Sequence, residues 1–280
     1  MAICEVCYRH CDIKEGKFGF CKGRTCKEGK IVPFNYGKIT SIALDPIEKK
    51  PLKRFHPGSK IISVGSFGCN LHCPFCQNYE ISWSDDVDYM ARRAQYIPPE
   101  KLLEIAKLYQ DKGNIGVAYT YNEPLVGYEY VLDCARLIHE NGMKNVLVSN
   151  GMVELNILEK IIPYIDAMNI DLKGFDEDFY SRLLMGNRDQ VLRFIKQANK
   201  HCHIELTALI IPDENDGIDH MKRMTSWIAS LENGKDIPLH ISRFFPRFHM
   251  SDKKPTDVSL IYELADVARE KLNYVYTGNC

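Results

Sequence analysis

From Gly68 to Asn78 the chain reads Gly-Cys69-Asn-Leu-His-Cys73-Pro-Phe75-Cys76-Gln-Asn, which places three cysteines at C-x3-C-x2-C in one short loop. Ligands this close can wrap a single inorganic centre, because each lies within about one turn of backbone of the next. Three thiolates fit three irons of a cubane 4Fe–4S cluster and leave the fourth iron without a protein ligand. An electron-transfer ferredoxin would supply a fourth cysteine. An open iron is what a cluster needs if it is to bind and reduce a substrate. A structural zinc knuckle and three buried thiols are the competing assignments. Zinc knuckles set two C-x2-C halves well apart, whereas the next cysteine after Cys76 is Cys134, inside a helical pattern. The loop follows the apolar run Lys60–Phe67, which reads as a buried strand. The C-terminal end of a barrel's first strand is where such folds place chemistry.

Beyond the loop, strands and helices alternate. The strand patterns begin at Lys60, Ile115, Asn145, Ala167, His203 and Leu239, and amphipathic helix patterns lie between them. Pro98-Pro99 opens the first of these helices, and Asn187 with Gln190 predicts a capping box at a later one. Ser84–Tyr96 is polar and aperiodic and reads as a loop, while Tyr274–Tyr276 is a candidate further short strand. Six βα units in series predict an α/β fold, a partial, open (β/α)6 TIM-like barrel over residues 58–280. Residues 1–57 form a small Cys-rich segment followed by a hairpin or edge strand near Gly37–Leu44. The gap in a six-stranded wall would admit a large substrate.

The first 26 residues hold Cys4, Cys7, Cys11, Cys21 and Cys26 in a stretch rich in Gly and Lys. Such a segment buries too little apolar surface to fold unaided and calls for a metal staple. Cys4, Cys7, Cys11 and Cys21 could hold zinc in a Cys4 site, or an auxiliary iron–sulfur cluster, or remain free thiols; Cys26 reads as spare. The N-terminus carries neither a basic nor an apolar leader pattern, which suggests a cytoplasmic protein, and eleven cysteines in a reducing compartment favour metal binding over disulfides. A net charge of −1 offers no nucleic-acid footprint, and no apolar run is long enough to span a membrane. Lys49 and Lys50, in an extended Pro-flanked stretch, read most simply as solvated, with a substrate or anion role as the weaker alternative.

The cysteine spacing with Phe75 before the last thiol resembles the signature of the radical S-adenosylmethionine (SAM) superfamily. The longer string Gly68–Ser82, with Leu44–Leu52 and Phe55–Ser59 upstream, resembles the radical SAM enzymes of AmmeMemoRadiSam systems, which are relatives of the pyruvate formate-lyase activating enzymes. The resemblance implies a 4Fe–4S cluster on Cys69, Cys73 and Cys76, with Phe75 beside the cofactors. Asn122-Glu123 matches in position the motif that receives the SAM amino group. Ser149-Asn150 matches a ribose-contacting segment, although Val148 stands where some activating enzymes carry an aspartate. Asp171-Leu-Lys173 resembles an Asp-Leu-Lys motif. Its two charged residues share a strand face, so Lys173 can meet the SAM carboxylate and Asp171 a hydroxyl or cation; an exposed ion pair is the plainer alternative. Glu205, an acid in an apolar strand with Thr207 on the same face, must have a partner and is a second candidate pocket residue. Arg243 could hold a carboxylate or the SAM adenosyl side, or pack as a barrel-rim ion pair.

The resemblance implies an oxidoreductase that cleaves SAM reductively to methionine and a deoxyadenosyl radical, which then takes hydrogen from an unassigned substrate. A glycyl radical activating enzyme is the nearest alternative, and a catalytically dead, zinc-stapled scaffold is a more distant one. The implied partners are a reductase, flavodoxin or ferredoxin as electron donor, and Memo-like and AMMECR-like proteins or a glycyl radical enzyme.

Overall fold

The computed structural model describes all 280 residues. One eight-stranded sheet organises them: β1 (Ser41–Pro46), β2 (Lys60–Gly65), β3 (Asn114–Tyr119), β4 (Lys144–Ser149), β5 (Ala167–Asp171), β6 (His203–Ile210), β7 (Leu239–Arg243) and β8 (Val275–Gly278). Strand order follows chain order. From β2 to β8 all neighbours are parallel, and β1 lies antiparallel on β2. The two edges do not pair with each other, so the barrel is open. Six helix-bearing crossovers join the parallel strands. The helices Pro99–Leu108, Tyr128–Glu140, Leu155–Ile161, Arg188–Ala198, Ile218–Ala229 and Val258–Arg269 pack their apolar stripes against the sheet. The partial βα barrel expected from periodicity is therefore present, with a seventh parallel strand and an antiparallel leading strand added.

Two local expectations are corrected. Residues 84–96 are not all loop: Val87–Arg93 is helical, started by the Asp86 carboxylate accepting the Tyr89 N–H at 2.7 Å. The capping box at Asn187 is only half formed. Asn187 Oδ1 accepts the Gln190 N–H at 2.9 Å, but the Gln190 side chain donates to the Val153 carbonyl instead of returning to the cap.

The N-terminal ends of the strands are closed by the chain itself. Ile47, Leu52 and Ile61 pack with Ala118, Val146 and Ala167 beneath the barrel. Glu205 ties this plug down: its carboxylate accepts the backbone N–H groups of Lys53 (2.9 Å) and Arg54 (2.7 Å) and binds Nε2 of His203 (3.0 Å) and His240 (2.6 Å). With that end filled, the C-terminal ends of the strands remain as the open face.

The Cys-rich segment folds as two short ribbons, Ala2–Ile3 with Asp12–Ile13 and Arg24–Lys27 with Lys30–Pro33. It borrows the barrel's surface. Arg24 forks onto Glu129 at 2.7 and 2.8 Å, the Glu154 N–H reaches the Val6 carbonyl at 2.9 Å, and Asn35 Nδ2 reaches the Phe67 carbonyl at 2.9 Å.

Candidate functional site

The cysteine loop leaves the end of β2 and is laced to several other segments. Cys69 N–H donates to the Cys21 carbonyl (3.0 Å), His72 N–H to Leu184 (3.0 Å), and Gly68 N–H to Ile81 (2.8 Å). Asn70 Nδ2 reaches the Met152 carbonyl at 2.8 Å, and the Pro74 carbonyl accepts the His249 N–H at 2.9 Å. Gly68 sits at φ +92°, and a Cβ there would come within 2.5 Å of the Cys21 carbonyl oxygen, so only glycine permits this approach. The loop is thus fixed before any ligand arrives.

Cys69, Cys73, Cys76 and Phe75 line a cavity of about 370 Å³ on the open face. That is a volume typical of small-molecule sites. Its other walls come from strand ends: Thr120–Glu123 after β3, Ser149 and Asn150 at β4, Asp171 and Lys173 at β5, Thr207 and Leu209 of β6, and Ser242 of β7. Burial pushes the thiols up, Cys73 to about 12 and Cys69 well above its ordinary value. Thiols raised in this way must lose protons to a metal on binding it.

Glu123 is 2 % exposed, and burial lifts it to about 7. Three donors pull in the other direction: Leu125 N–H (3.0 Å) and Ser149 Oγ (2.9 Å) on Oε1, and Asn150 N–H (2.8 Å) on Oε2. A carboxylate has about four acceptor positions, so about one is left on Oε2. Asn122 spans the β2 and β3 ends, accepting the Ser66 N–H at 3.0 Å and donating to the Gly68 carbonyl at 2.9 Å. Asn150 Nδ2 lies 2.9 Å from Asn70 Oδ1 and 3.6 Å from Cys69 Sγ, so in this structure it serves the cysteine loop. Lys173 and Asp171 form a partly buried pair at 2.8 Å. Burial opposes the lysine charge, but Asp171 overrides it and holds the Lys173 pKa above its ordinary value.

Two candidates lie elsewhere. Glu205 is 0 % exposed and spends its carboxylate on the plug, because its place early in β6 sets it low in the barrel. Arg243 turns away from the cavity, donating from Nε to the Thr256 carbonyl at 2.7 Å and covering Phe245. The expected solvation of Lys50 is also corrected. It is 3 % exposed, lines the cavity, and pairs with Asp45 at 2.9 Å, whose carboxylate also accepts from Tyr121. Lys50 and Tyr121 are wall residues that sequence spacing did not single out, while Thr207, noted on the face of Glu205, lines the cavity without it.

The donor set suits a cluster better than a lone ion. Three thiols framing a roomy polar cavity, with no fourth protein ligand, fit a larger inorganic core that keeps one position open.

Residues 63–225 match the Radical SAM superfamily. The chain belongs to that superfamily. An uncharacterized protein of Methanocaldococcus jannaschii is 40% identical over 99% of this chain and 80% of its own length. The pyruvate formate-lyase-activating enzyme of Clostridium pasteurianum is 23% identical over 71% of this chain and 80% of its own. Among solved structures, QueE from Escherichia coli aligns with TM-score 0.54 at 14% identity, covering 87% of this chain and 93% of that one. Streptococcus suis SuiB bound to S-adenosylmethionine aligns with TM-score 0.58 at 16% identity, over 76% of this chain and 48% of that one. These structures share the fold. Superfamily membership supports an enzyme and implies a 4Fe–4S cluster and SAM.

Proposed function

We propose that the chain is a radical SAM oxidoreductase of the AmmeMemoRadiSam kind. The observation that carries this reading is the convergence of Cys69, Cys73 and Cys76 with the Asp171–Lys173 pair on one cavity at the open barrel face. When bound and reduced, the cluster supplies the electron that breaks the sulfonium C–S bond of SAM, giving methionine and a deoxyadenosyl radical that abstracts hydrogen from substrate.

The chain's own residues bind, orient and shield. Lys173 offers a point charge to the SAM carboxylate, and Asp171 keeps that lysine protonated and placed. The free acceptor position on Glu123 Oε2 takes the SAM ammonium. Ser149 and Asn150 hold the Glu123 carboxylate still, and Asn150 also donates toward Cys69 Sγ. Asn122 fixes the start of the cysteine loop. Phe75 and Leu71 exclude water from the thiol side of the cavity.

A second reading is supported by the likeness to the Clostridium pasteurianum activating enzyme. The hydrogen would come from a glycine of a partner protein, approaching between the unpaired edges β1 and β8. Electron supply by a flavodoxin, ferredoxin or reductase, association with Memo-like and AMMECR-like proteins, and a cytoplasmic setting belong to the same proposal. No helix is long and apolar enough to cross a membrane.

The test is anaerobic reconstitution with iron and sulfide, followed by dithionite and SAM, with deoxyadenosine and methionine quantified beside a Cys76→Ala control. Cleavage lost in the control supports the reading. A protein that takes up zinc and no iron sinks it. A glycyl radical detected on a candidate partner would select the second reading.

A further inference from the structure

SAM leaves part of the cavity unused. Lys173 and Asp171, which face SAM, are the charged side chains that bear on Cys73 and Cys76. A second cation, Lys50, lines the same cavity, and the charges that bear on it are Asp45 and Lys49 instead. The N-terminal thiols Cys4, Cys7, Cys11 and Cys21, with Arg24 beside them, enclose only about 10 Å³, roughly the space of one water, too little for any substrate.

Lys50 is built into its place and left with a donor to spare. Its side chain is 3 % exposed, yet of the three N–H groups an ammonium carries, one is spent, on Asp45 Oδ2 at 2.9 Å. The Tyr121 ring covers another side, its centroid 4.8 Å from Nζ. A buried ammonium donor without an acceptor is costly, and the open space beside this one is the cavity. Lys49, 68 % exposed, lines the same cavity and reaches the Asp45 carboxylate at 3.4 Å. Two lysines against one carboxylate leave one positive charge in excess.

The scaffold around Lys50 is strained. Tyr121 sits at φ +74°, a left-handed backbone that aromatic residues rarely adopt. Its hydroxyl donates to Asp45 Oδ2 at 2.9 Å, and its carbonyl accepts Asn78 Nδ2 at 2.7 Å, at the end of the cysteine loop. Gly65 makes room for it, since a Cβ there would come within 2.7 Å of the ring. Burial would raise Asp45, but the Lys50 ammonium and the Tyr121 hydroxyl outweigh it and hold the carboxyl at about 2, so the pair stays ionised. Strain of this kind persists where the surroundings over-determine it, and it clusters at ligand sites.

We propose that Lys50, with exposed Lys49 beside it, binds a carboxylate of the substrate, and that Asp45 and Tyr121 are the positioning residues that hold its ammonium at the cavity. This rests on the radical SAM reading, for which it names a substrate class. One excess positive charge matches a monoanion such as a carboxylate, whereas a phosphate dianion would be left half neutralised. Thr207, Ser242 and Asn279 offer polar groups on the same cavity to the rest of the molecule. A glycine within a partner chain brings no carboxylate of its own, so the site favours a small carboxylic acid over the glycyl radical reading.

Saturation-transfer NMR on the full chain, both metal-free and reconstituted with saturating SAM, tests this with propionate, propionamide and methyl phosphate as probes. Propionate should bind wild type and Lys173→Met within about twofold of each other, and Lys50→Met about tenfold or more weakly. Propionamide should not compete, and methyl phosphate should bind no tighter than propionate. Tyr121→Phe should weaken propionate severalfold while SAM affinity holds. Because Lys50→Met leaves the Asp45 carboxylate without its ammonium, Asp45→Asn/Lys50→Met, which removes both charges, is measured beside it and should lose propionate equally. Propionate affinity unchanged in both Lys50 variants overturns the site. Methyl phosphate bound tenfold tighter than propionate overturns the carboxylate. SAM affinity lowered tenfold in Lys50→Met overturns the assignment to substrate and gives Lys50 to the cofactor. A chain that binds propionate through Lys50 yet takes up no iron counts against the barrel reading and leaves the anion site standing.

Discussion

Replacing Glu205 by Gln should damage the fold and spare SAM binding. The carboxylate is wholly buried and accepts two backbone N–H groups and two imidazoles. Burial alone would raise its pKa. The donors from His203, His240, Lys53 and Arg54 outweigh burial and hold it at about 2, against an ordinary value of 4.5. Because the folded value is depressed, the linked stability is present above about pH 4.5 and is lost as pH falls through about 2; its size is ~3 kcal/mol. In Glu205→Gln an NH2 group replaces one oxygen and faces donors. A histidine can change tautomer to accept from it, but the backbone N–H of Lys53 or Arg54 cannot. One unsatisfied buried N–H and the loss of charge-assisted bonds together cost ~3 kcal/mol. Urea unfolding should show this loss at neutral pH, and the difference from wild type should shrink in acid. SAM affinity of the reconstituted protein should change by less than about twofold, since Glu205 does not line the cavity and its carboxylate is spent on the plug. A variant of unchanged stability with SAM affinity weakened tenfold would refute the clamp and return Glu205 to the cofactor site.

Three further outcomes follow from the same geometry. Gly68→Ala, forced to φ +92° with its Cβ 2.5 Å from the Cys21 carbonyl oxygen, should lose ~2–4 kcal/mol of stability, read by thermal unfolding, and retain less iron; wild-type values for both would contradict the close approach. Lys173→Met removes the cation that faces Asp171, so SAM should bind about tenfold or more weakly in equilibrium dialysis while iron content stays normal. Because burial holds the Cys73 thiol at about 12, loading the site must expel protons, and iron retained at limiting supply should rise from about pH 6 to about pH 9; a flat profile would mean the thiols are already ionised.

Much of this was legible in the sequence because the signals were local. The βα alternation showed through long apolar periodicities, and the cysteine loop through ligand spacing. What was not legible depended on height within the barrel or on distant partners. Strand parity turns Glu205 inward, but nothing in β6 says that Leu52 and its neighbours fill that end of the barrel. Arg243 stands at a strand end like Lys173, yet the Thr256 carbonyl draws it away. Lys50 looked solvated because its partners, Asp45 and the ring of Tyr121, are assembled only by the fold. The Val87–Arg93 helix buries just Val87 and Met90, too few for an apolar period. Arg24 gave no sign in the sequence of its place beside the N-terminal thiols.

On the proposed reading Cys69, Cys73 and Cys76 leave one iron open, facing the cavity shared with Asp171 and Lys173. The most direct measurement is electron–nuclear double resonance on the dithionite-reduced protein, with SAM labelled by nitrogen-15 in its amino group and oxygen-17 in its carboxylate. Both labels should show hyperfine coupling to the cluster spin. A reduced cluster whose spectrum does not respond to saturating SAM would contradict it.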